Sequence, residues 1–455
     1  MKSKLNRLVS GVVSLALLAG AWPAQAQTPP PPDIRFGAVE AYMAPDKAAD
    51  LRVGWDRMVV HWYERQPDSG EQWNVPGEET DRVNTALGAG REMVMLLMGT
   101  PGWAADGGGP AAVPRGLYLP VDDPGNLWAV FVRRMAAEYA GRVNHWIIWN
   151  EPDIAPEDFG AQFLGSVADY YQLLKVAYLA AKQANPQATI HLAGLTHWHD
   201  VVYNRPPYLQ RLLQAASQDP TARRNHYYFD VASLHIYFRT QSVFDLITQY
   251  RGILRRYGQT QPFWLNETNA APYDDPQLPW NGPMFPLTMA QQSSFIIQAT
   301  ALALAAGAER VAVYKLTNPN VPYEGADYYG LYRPDGSARP AVEAYRVVTS
   351  HFAGVRKTTY TAQRGYYIVR LDRPGAVTRV LWARQAQAVT LKVRASAGVT
   401  AVALYDAAGA ACPLAADRPG NYTLTLPAAS CESQPAVGCV VEGAPWVLVE
   451  TFGRR

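Results

Sequence analysis

The chain has 455 residues, 48% of them apolar and 18% charged, enough to bury a large core spread over two or three domains. Its 41 Lys and Arg stand against 39 Asp and Glu, a net charge of +2, and no basic stripe gathers them, which argues against nucleic acid as a partner. After the first 26 residues no stretch approaches the roughly 20 apolar residues that a membrane span requires.

At the start, Lys2, Lys4 and Arg7 precede an apolar run over residues 8–20, and Ala24-Gln25-Ala26 supplies small residues for cleavage. This is the pattern of a secretory signal peptide over residues 1–26, so the protein is expected to be secreted or periplasmic. No cysteine follows the cleavage site, and no lipoprotein or other membrane anchor is expected. Residues 27–33 are a proline-rich linker, unable to join a helix or a central strand.

From residue 34 to about 352 apolar β-branched runs alternate with helix-period stretches. Eight strands are predicted, at 36–42, 57–63, 92–98, 143–149, 189–196, 229–238, 262–267 and 311–316, with helices such as 127–139, 167–184, 243–256 and 293–306 between them. Strict alternation of this kind predicts an α/β fold, a (β/α)8 TIM barrel. The Pro- and Gly-rich segments 100–123 and 271–286 both follow strands, which puts them over the carboxyl-terminal face where barrel enzymes keep their active sites.

Two of these strands share a design. His145-Trp146-Ile147-Ile148-Trp149 runs into Asn150-Glu151-Pro152, and Pro262-Phe263-Trp264-Leu265 runs into Asn266-Glu267. Each apolar strand ends in an amide and then a carboxylate. A lone Glu before a proline reads as an acidic turn residue, but two such ends, 267 − 151 = 116 residues apart, fit strands four and seven of one barrel. Two carboxylates facing each other are the machinery of glycoside hydrolysis.

With Trp149-Asn150-Glu151-Pro152 on one strand and Asn266-Glu267 on a later one, the chain resembles the clan A glycoside hydrolases, most nearly family 39 and then family 5. The likeness covers the barrel, and it implies that Glu151 is the acid/base and Glu267 the nucleophile. Arg57, five residues before Trp62 on strand two, matches the arginine that hydrogen-bonds the nucleophile, and a guanidinium there would favour the ionised carboxylate. Asn150 matches the residue that holds the sugar 2-hydroxyl. His235 and Tyr237, two apart on strand six and so on one face, match the pair that supports the carboxylates. Trp62, Trp103 in Thr100-Pro101-Gly102-Trp103, and Trp198 are expected to line sugar subsites. Tyr314 stands where many members carry a tryptophan under the sugar, and Asn266 where threonine is frequent. Lys315 would favour a uronic acid if it entered the site; pairing with a nearby acid is the plainer alternative. His197, His199 and Asp200 have too few companions for a zinc site, and neither a metal nor an organic cofactor is expected.

The implied chemistry is retaining double displacement on a carbohydrate, β-linked by the resemblance. Glu267 forms a glycosyl ester while Glu151 protonates the leaving oxygen. The negative charge on Glu267 favours a proton on Glu151, and esterification removes that field so that Glu151 can then take a proton from water. Two other readings stay open: a catalytically silent carbohydrate-binding or cell-surface protein on the same fold, which loss of a carboxylate would signal, and a transglycosylase.

After residue 352 helical periodicity gives way to short alternating strands at 365–371, 378–382, 389–393, 399–405, 422–426 and 446–450, predicting a β-sandwich accessory domain over 353–455. Cys412, Cys431 and Cys439 all fall there; in an exported protein one disulfide is expected, with three pairings open.

Overall fold

The computed structural model describes residues 31–158, 160–278, 285–318, 328–418, 420–430 and 439–453. The expected signal peptide and most of the linker lie outside them.

Eight parallel strands form the barrel: β1 (Phe36–Val39), β2 (Trp55–His61), β3 (Glu92–Met98), β4 (His145–Ile148), β5 (Thr189–Leu192), β6 (Ala232–Ile236), β7 (Phe263–Thr268) and β8 (Arg310–Val313). They lie in the order β5-β4-β3-β2-β1-β8-β7-β6. Parallel bridges from His191 to Val231 and from Leu195 to Leu234 join β5 to β6 and close the ring. Side chains alternate as the pleat requires. Val39, Trp55, Val94, Leu96, Ile147, Val231, Trp264 and Ala312 fill the interior, whereas Val60, Met95, Leu97, Ile148, Leu234 and Leu265 face the surrounding helices.

All eight barrel strands occur where the sequence predicts them, with β4, β5 and β6 shorter than expected because their ends turn into active-face loops. Two helices start on reciprocal caps. Ser166 and Asp169 exchange hydrogen bonds at the start of Val167–Ala184, and Thr288 and Gln291 do the same for Met289–Ala306.

Met289–Ala306 is buried almost all round, the mark of a helix with no solvent face. On one side it packs on the barrel and on the other it meets the second domain, where Gln298 Nε2 donates to Gly443 O at 2.8 Å and its Oε1 accepts from Thr240 Oγ1 at 2.9 Å.

That domain is a β-sandwich of β9 (Lys357–Ala362), β10 (Tyr366–Arg373), β11 (Ala376–Ala383), β12 (Val389–Arg394), β13 (Val399–Tyr405), β14 (Ala411–Cys412), β15 (Asn421–Leu426) and β16 (Trp446–Phe452). A six-stranded antiparallel sheet, β14-β13-β16-β11-β10-β9, faces the hairpin β12-β15. Leu381, Leu404, Leu424, Leu426 and Leu448 pack between the layers. Tyr367, Val369, Leu371, Val380 and Trp382, on the opposite face of the large sheet, join the barrel's own core. Strand β11 is therefore buried along its whole length. Strands β9 and β14 were not predicted: β9 reads Lys357-Thr358-Thr359-Tyr360-Thr361-Ala362, an edge strand too polar to show an apolar face. Cys439 is disulfide-bonded and Cys412 is free; Cys431 lies outside the described residues.

Candidate active site

Two local departures from regular strand geometry bring the carboxylates together. Strand β4 ends at Ile148, and Trp149 (φ 69°) and Glu151 (φ 43°) both take the left-handed conformation. Such backbone costs about 1–3 kcal/mol per residue and is held only by surrounding structure. Here Trp149 is fully buried outside the barrel against Trp128 and Phe163, and its Nε1 donates to Gln162 O at 2.6 Å. That anchor turns Asn150 and Glu151 toward the barrel mouth.

On β7 the device is a bulge. Pairing with β6 runs Leu234 to Leu265 and then His235 to Glu267, and the register with β8 shifts between Leu265 and Thr268. Trp264 points inward and Leu265 outward, so strict alternation would send Asn266 inward and Glu267 behind the strand. The extra residue at Asn266 reverses this and puts Glu267 in the mouth.

Glu267 is 5% exposed, with Arg57 Nη2 at 2.5 Å from its Oε1 and the Tyr237 hydroxyl donating to its Oε2. Burial pushes this carboxyl up, but the Arg57 charge, then His235 and Tyr237, outweigh it and hold Glu267 below the usual carboxylate range. Burial, followed by the negative charge of Glu267, pushes the Tyr237 hydroxyl well above its ordinary value, so it stays a donor. His235 Nδ1 lies 2.7 Å from Glu151 Oε1 and 3.4 Å from Glu267 Oε2, bridging the two acids. The imidazole is packed so closely that a Cβ on Gly194 would collide with its ring, a close approach that only glycine allows. One oxygen of each carboxylate and a nitrogen of His235 all lie within 4.8 Å of one another.

Asn150 Nδ2 donates to Gln162 Oε1 at 3.1 Å, and Gln162 Nε2 reaches Glu151 Oε2 at 3.4 Å. Asn150 Oδ1 has no hydrogen-bond partner among the described residues. Two residues past Glu151, Asp153 accepts from the backbone of Thr196 (2.8 Å) and His197 (2.9 Å), which ties the β4 loop to the β5 loop. Burial and then the charge of Glu151 push the Asp153 carboxyl up to about 6. Gln162 and Asp153 were missed by sequence reasoning. Asp153 sits inside the motif that drew attention to Glu151, but Gln162 is an unremarked loop residue that only the fold brings near.

The aromatic expectations divide. Tyr314 is in reach, its ring 6.0 Å from that of Tyr237. Tyr329, which was not predicted, lies closer at 5.1 Å. Trp198 is 38% exposed and tilts against Phe238 at 5.0 Å on the rim of a cavity of about 410 Å³, which His235 and Tyr237 also line. Trp62 is corrected: it is fully buried outside the barrel, packed on Trp103, Trp128 and Phe131, with its Nε1 donating to Gln66 Oε1 at 2.7 Å, so no sugar can reach it. Trp103 is half-buried over Trp62 and donates to Gln66 O at 2.6 Å. It buttresses the loop after β3 and forms no part of the wall of the cavity beside His235 and Tyr237.

Lys315 Nζ pairs with Glu40 Oε2 at 2.7 Å, the plainer of the two expectations. His197, His199 and Asp200 diverge: His197 Nδ1 meets Tyr250 OH at 3.1 Å, His199 meets Asp158 at 2.6 Å and Asp200 meets Arg211 at 2.6 Å.

No protein-family model matches the sequence, and no curated protein matches it either. Solved structures do. A family 39 glycoside hydrolase from Bacteroides cellulosilyticus superposes with a TM-score of 0.68 at 17% identity, over 92% of this chain and 81% of that one. A family 30 endoxylanase from Clostridium papyrosolvens gives 0.60 at 14% identity, over 92% and 97% of the two chains. A family 39 β-xylosidase from Caulobacter crescentus gives 0.59 at 14%, over 93% and 96%. The likeness spans both domains, and the chain has the barrel-plus-sandwich fold of these clan A glycoside hydrolases.

Proposed function

We propose that the protein is a glycoside hydrolase that cleaves β-linked O-glycosides with retention of configuration, Glu267 acting as nucleophile and Glu151 as acid/base. The observation that carries this reading is the convergence of two carboxylates from separate strand ends, with oxygens within 4.8 Å of each other. Retaining enzymes hold their carboxyls about 5 Å apart, whereas inverting enzymes need roughly 6.5–9.5 Å to admit a water. The electrostatics fit the division of labour. Arg57 and Tyr237 hold Glu267 ionised and ready to attack, and their hydrogen bonds leave it little freedom to turn. Glu151 has no arginine partner; its neighbours are His235 and Gln162, and with Glu267 negative a proton is favoured on it. When Glu267 becomes an ester that field is gone, and Glu151 accepts the proton of the attacking water. Asn150, with its unpartnered Oδ1, is the residue to bind the sugar 2-hydroxyl, a contact that tightens in the transition state.

The substrates named for the structural neighbours are xylosides, xylans and glucosides. The Lys315–Glu40 pair weighs against a uronic acid as the favoured sugar. Export by an amino-terminal signal fits an enzyme acting on glycans outside the cytoplasm. The test is hydrolysis of aryl β-glycosides and β-glycans by the parent, Glu267→Ala and Glu151→Ala proteins, with proton NMR of the first-formed anomer. A β-anomer from a β-glycoside is expected; an α-anomer would replace retention by inversion. Binding without turnover would favour a silent carbohydrate-binding protein, and transfer to an added sugar in place of water would favour a transglycosylase.

A further inference from the structure

The cavity beside His235 and Tyr237 does not end at the barrel rim. Its outer wall is Trp198, Phe238 and Phe285, and the same three side chains form the inner wall of a second cavity of about 580 Å³. That second cavity runs along the seam between barrel and sandwich. Its far side carries Gln241 and Asp245 from helix Thr240–Arg256, and Arg384 and Glu442 from the sandwich. Together the two make one trough that starts at the carboxylates and finishes on the accessory domain.

The trough changes character along its length. Near the carboxylates its walls are mostly apolar, with Phe238 set between Trp198 (5.0 Å, 33°) and Phe285 (6.3 Å, 88°). Farther out, Arg384 lies over the Tyr367 ring at 4.1 Å and Glu442 accepts from Trp382 Nε1 at 2.8 Å, so both heads are held in place by the sandwich. Aromatic faces suit the C–H faces of pyranose rings, and fixed amide, carboxylate and guanidinium groups suit their hydroxyl edges. An apolar aglycone would need only the first half. The trough also rises on the ends of β5 and β6, next around the ring to β4 and its Glu151, which makes it the side from which a leaving group protonated by Glu151 departs.

We infer that this trough binds the leaving-group end of a β-linked glycan chain, at least two sugar residues beyond the cleaved bond, with the sandwich domain supplying the outer contacts. The inference rests on the glycosidase reading and assigns that site a chain substrate and the accessory domain a share in recognising it.

The test uses the full chain with β-1,4-xylo- and β-1,4-gluco-oligosaccharides of two to six units, alongside aryl β-xyloside and β-glucoside, in ¹⁸O-labelled water. The label marks the newly formed reducing end, so mass spectra show which bond was cut. kcat/KM is expected to rise by about tenfold or more from dimer to pentamer, with cleavage leaving two or more units on the departing fragment. In Trp198→Ala that rise should collapse to within about threefold, because the stacking wall is lost. In Arg384→Ala only the increment from the outermost unit should vanish, and the cut should move toward the reducing end. Arg384→Ala, remote from the catalytic loops, also keeps the test decisive if Trp198→Ala fails to fold. A single kcat/KM for all lengths, or a cleavage pattern identical in parent and Arg384→Ala, overturns the trough while the glycosidase reading stands. Absence of hydrolysis on the whole panel overturns that reading and the trough with it.

Discussion

At the amino-terminal mouth of the barrel, Glu92 meets His145 Nε2 at 2.7 Å and Arg310 Nη2 at 3.1 Å, and His145 Nδ1 meets His191 Nε2 at 2.8 Å. At the carboxyl-terminal mouth, Glu267 meets Arg57 and His235 as well, but Glu151 shares that same histidine. The residue types are alike and the stoichiometry is not. Below, one carboxylate is matched by a guanidinium and an imidazole pair, and its ionisation is settled: burial pushes Glu92 up, but the His145 hydrogen bond and the Arg310 charge bring it down to about 2. Above, two carboxylates divide one guanidinium and one imidazole, so the cluster is short of positive charge and has use for a proton. That shortage is what lets a proton move, and it separates a catalytic cluster from a structural one more reliably than any residue type.

The contrast can be tested by substitution at each mouth. Glu267→Ala should lower kcat/KM on the order of 10⁵-fold, with azide restoring turnover as an α-glycosyl azide from a β-substrate; Glu151→Ala with azide should instead give the β-azide, both read by NMR. Arg57→Met should lower kcat on the order of 10²–10³-fold. It also removes the charge that offsets burial, so the Glu267 carboxyl rises and the acid limb of the kcat/KM profile moves to higher pH. Glu92→Gln should leave turnover of an aryl glycoside close to the parent's while costing about 2–3 kcal/mol of stability in urea unfolding, since Arg310 and His145 lose their partner. Because the folded Glu92 is held at about 2, below its ordinary 4.5, its contribution is full above that ordinary value and disappears as pH falls toward 2. The difference between parent and variant should therefore shrink in acid. Smallest of all is Asp56→Asn, on β2 but part of neither cluster. Burial raises Asp56 from its ordinary 3.8 to about 7, so the parent should lose stability as pH rises from the first value through the second, and level off above it. The variant should not show that decline, which melting temperatures followed across the same window would resolve.

Much of this was legible in the chain. Apolar runs ending in Asn-Glu located both carboxylates, and the period-two spacing of His235 and Tyr237 put them on one face. What could not be read was geometry that violates periodicity. Counting by twos from Trp264 points Glu267 away from the barrel mouth, and only the bulge at Asn266 reverses it. Trp62 shows the opposite failure. A tryptophan near a sugar site invites the stacking reading, yet it begins the helix Trp62–Arg65, immediately after β2, and its ring turns outward into an aromatic cluster. Gln162 and Tyr329 enter by loop closure over long spans, for which no local pattern exists.

Helix Met289–Ala306 has a consequence for how such enzymes are assembled and cut apart. A barrel helix ordinarily keeps one face in water, which is what lets barrels be excised, permuted or joined to foreign partners. This one has surrendered that face to the sandwich, through apolar packing and through Gln298, whose amide is shared between Thr240 of the barrel and Gly443 of the second domain. A truncation after residue 352 would open a greasy strip and strand a buried amide in one stroke. The two domains are thus a single inheritable unit, and the barrel on its own is a poor graft for protein engineering.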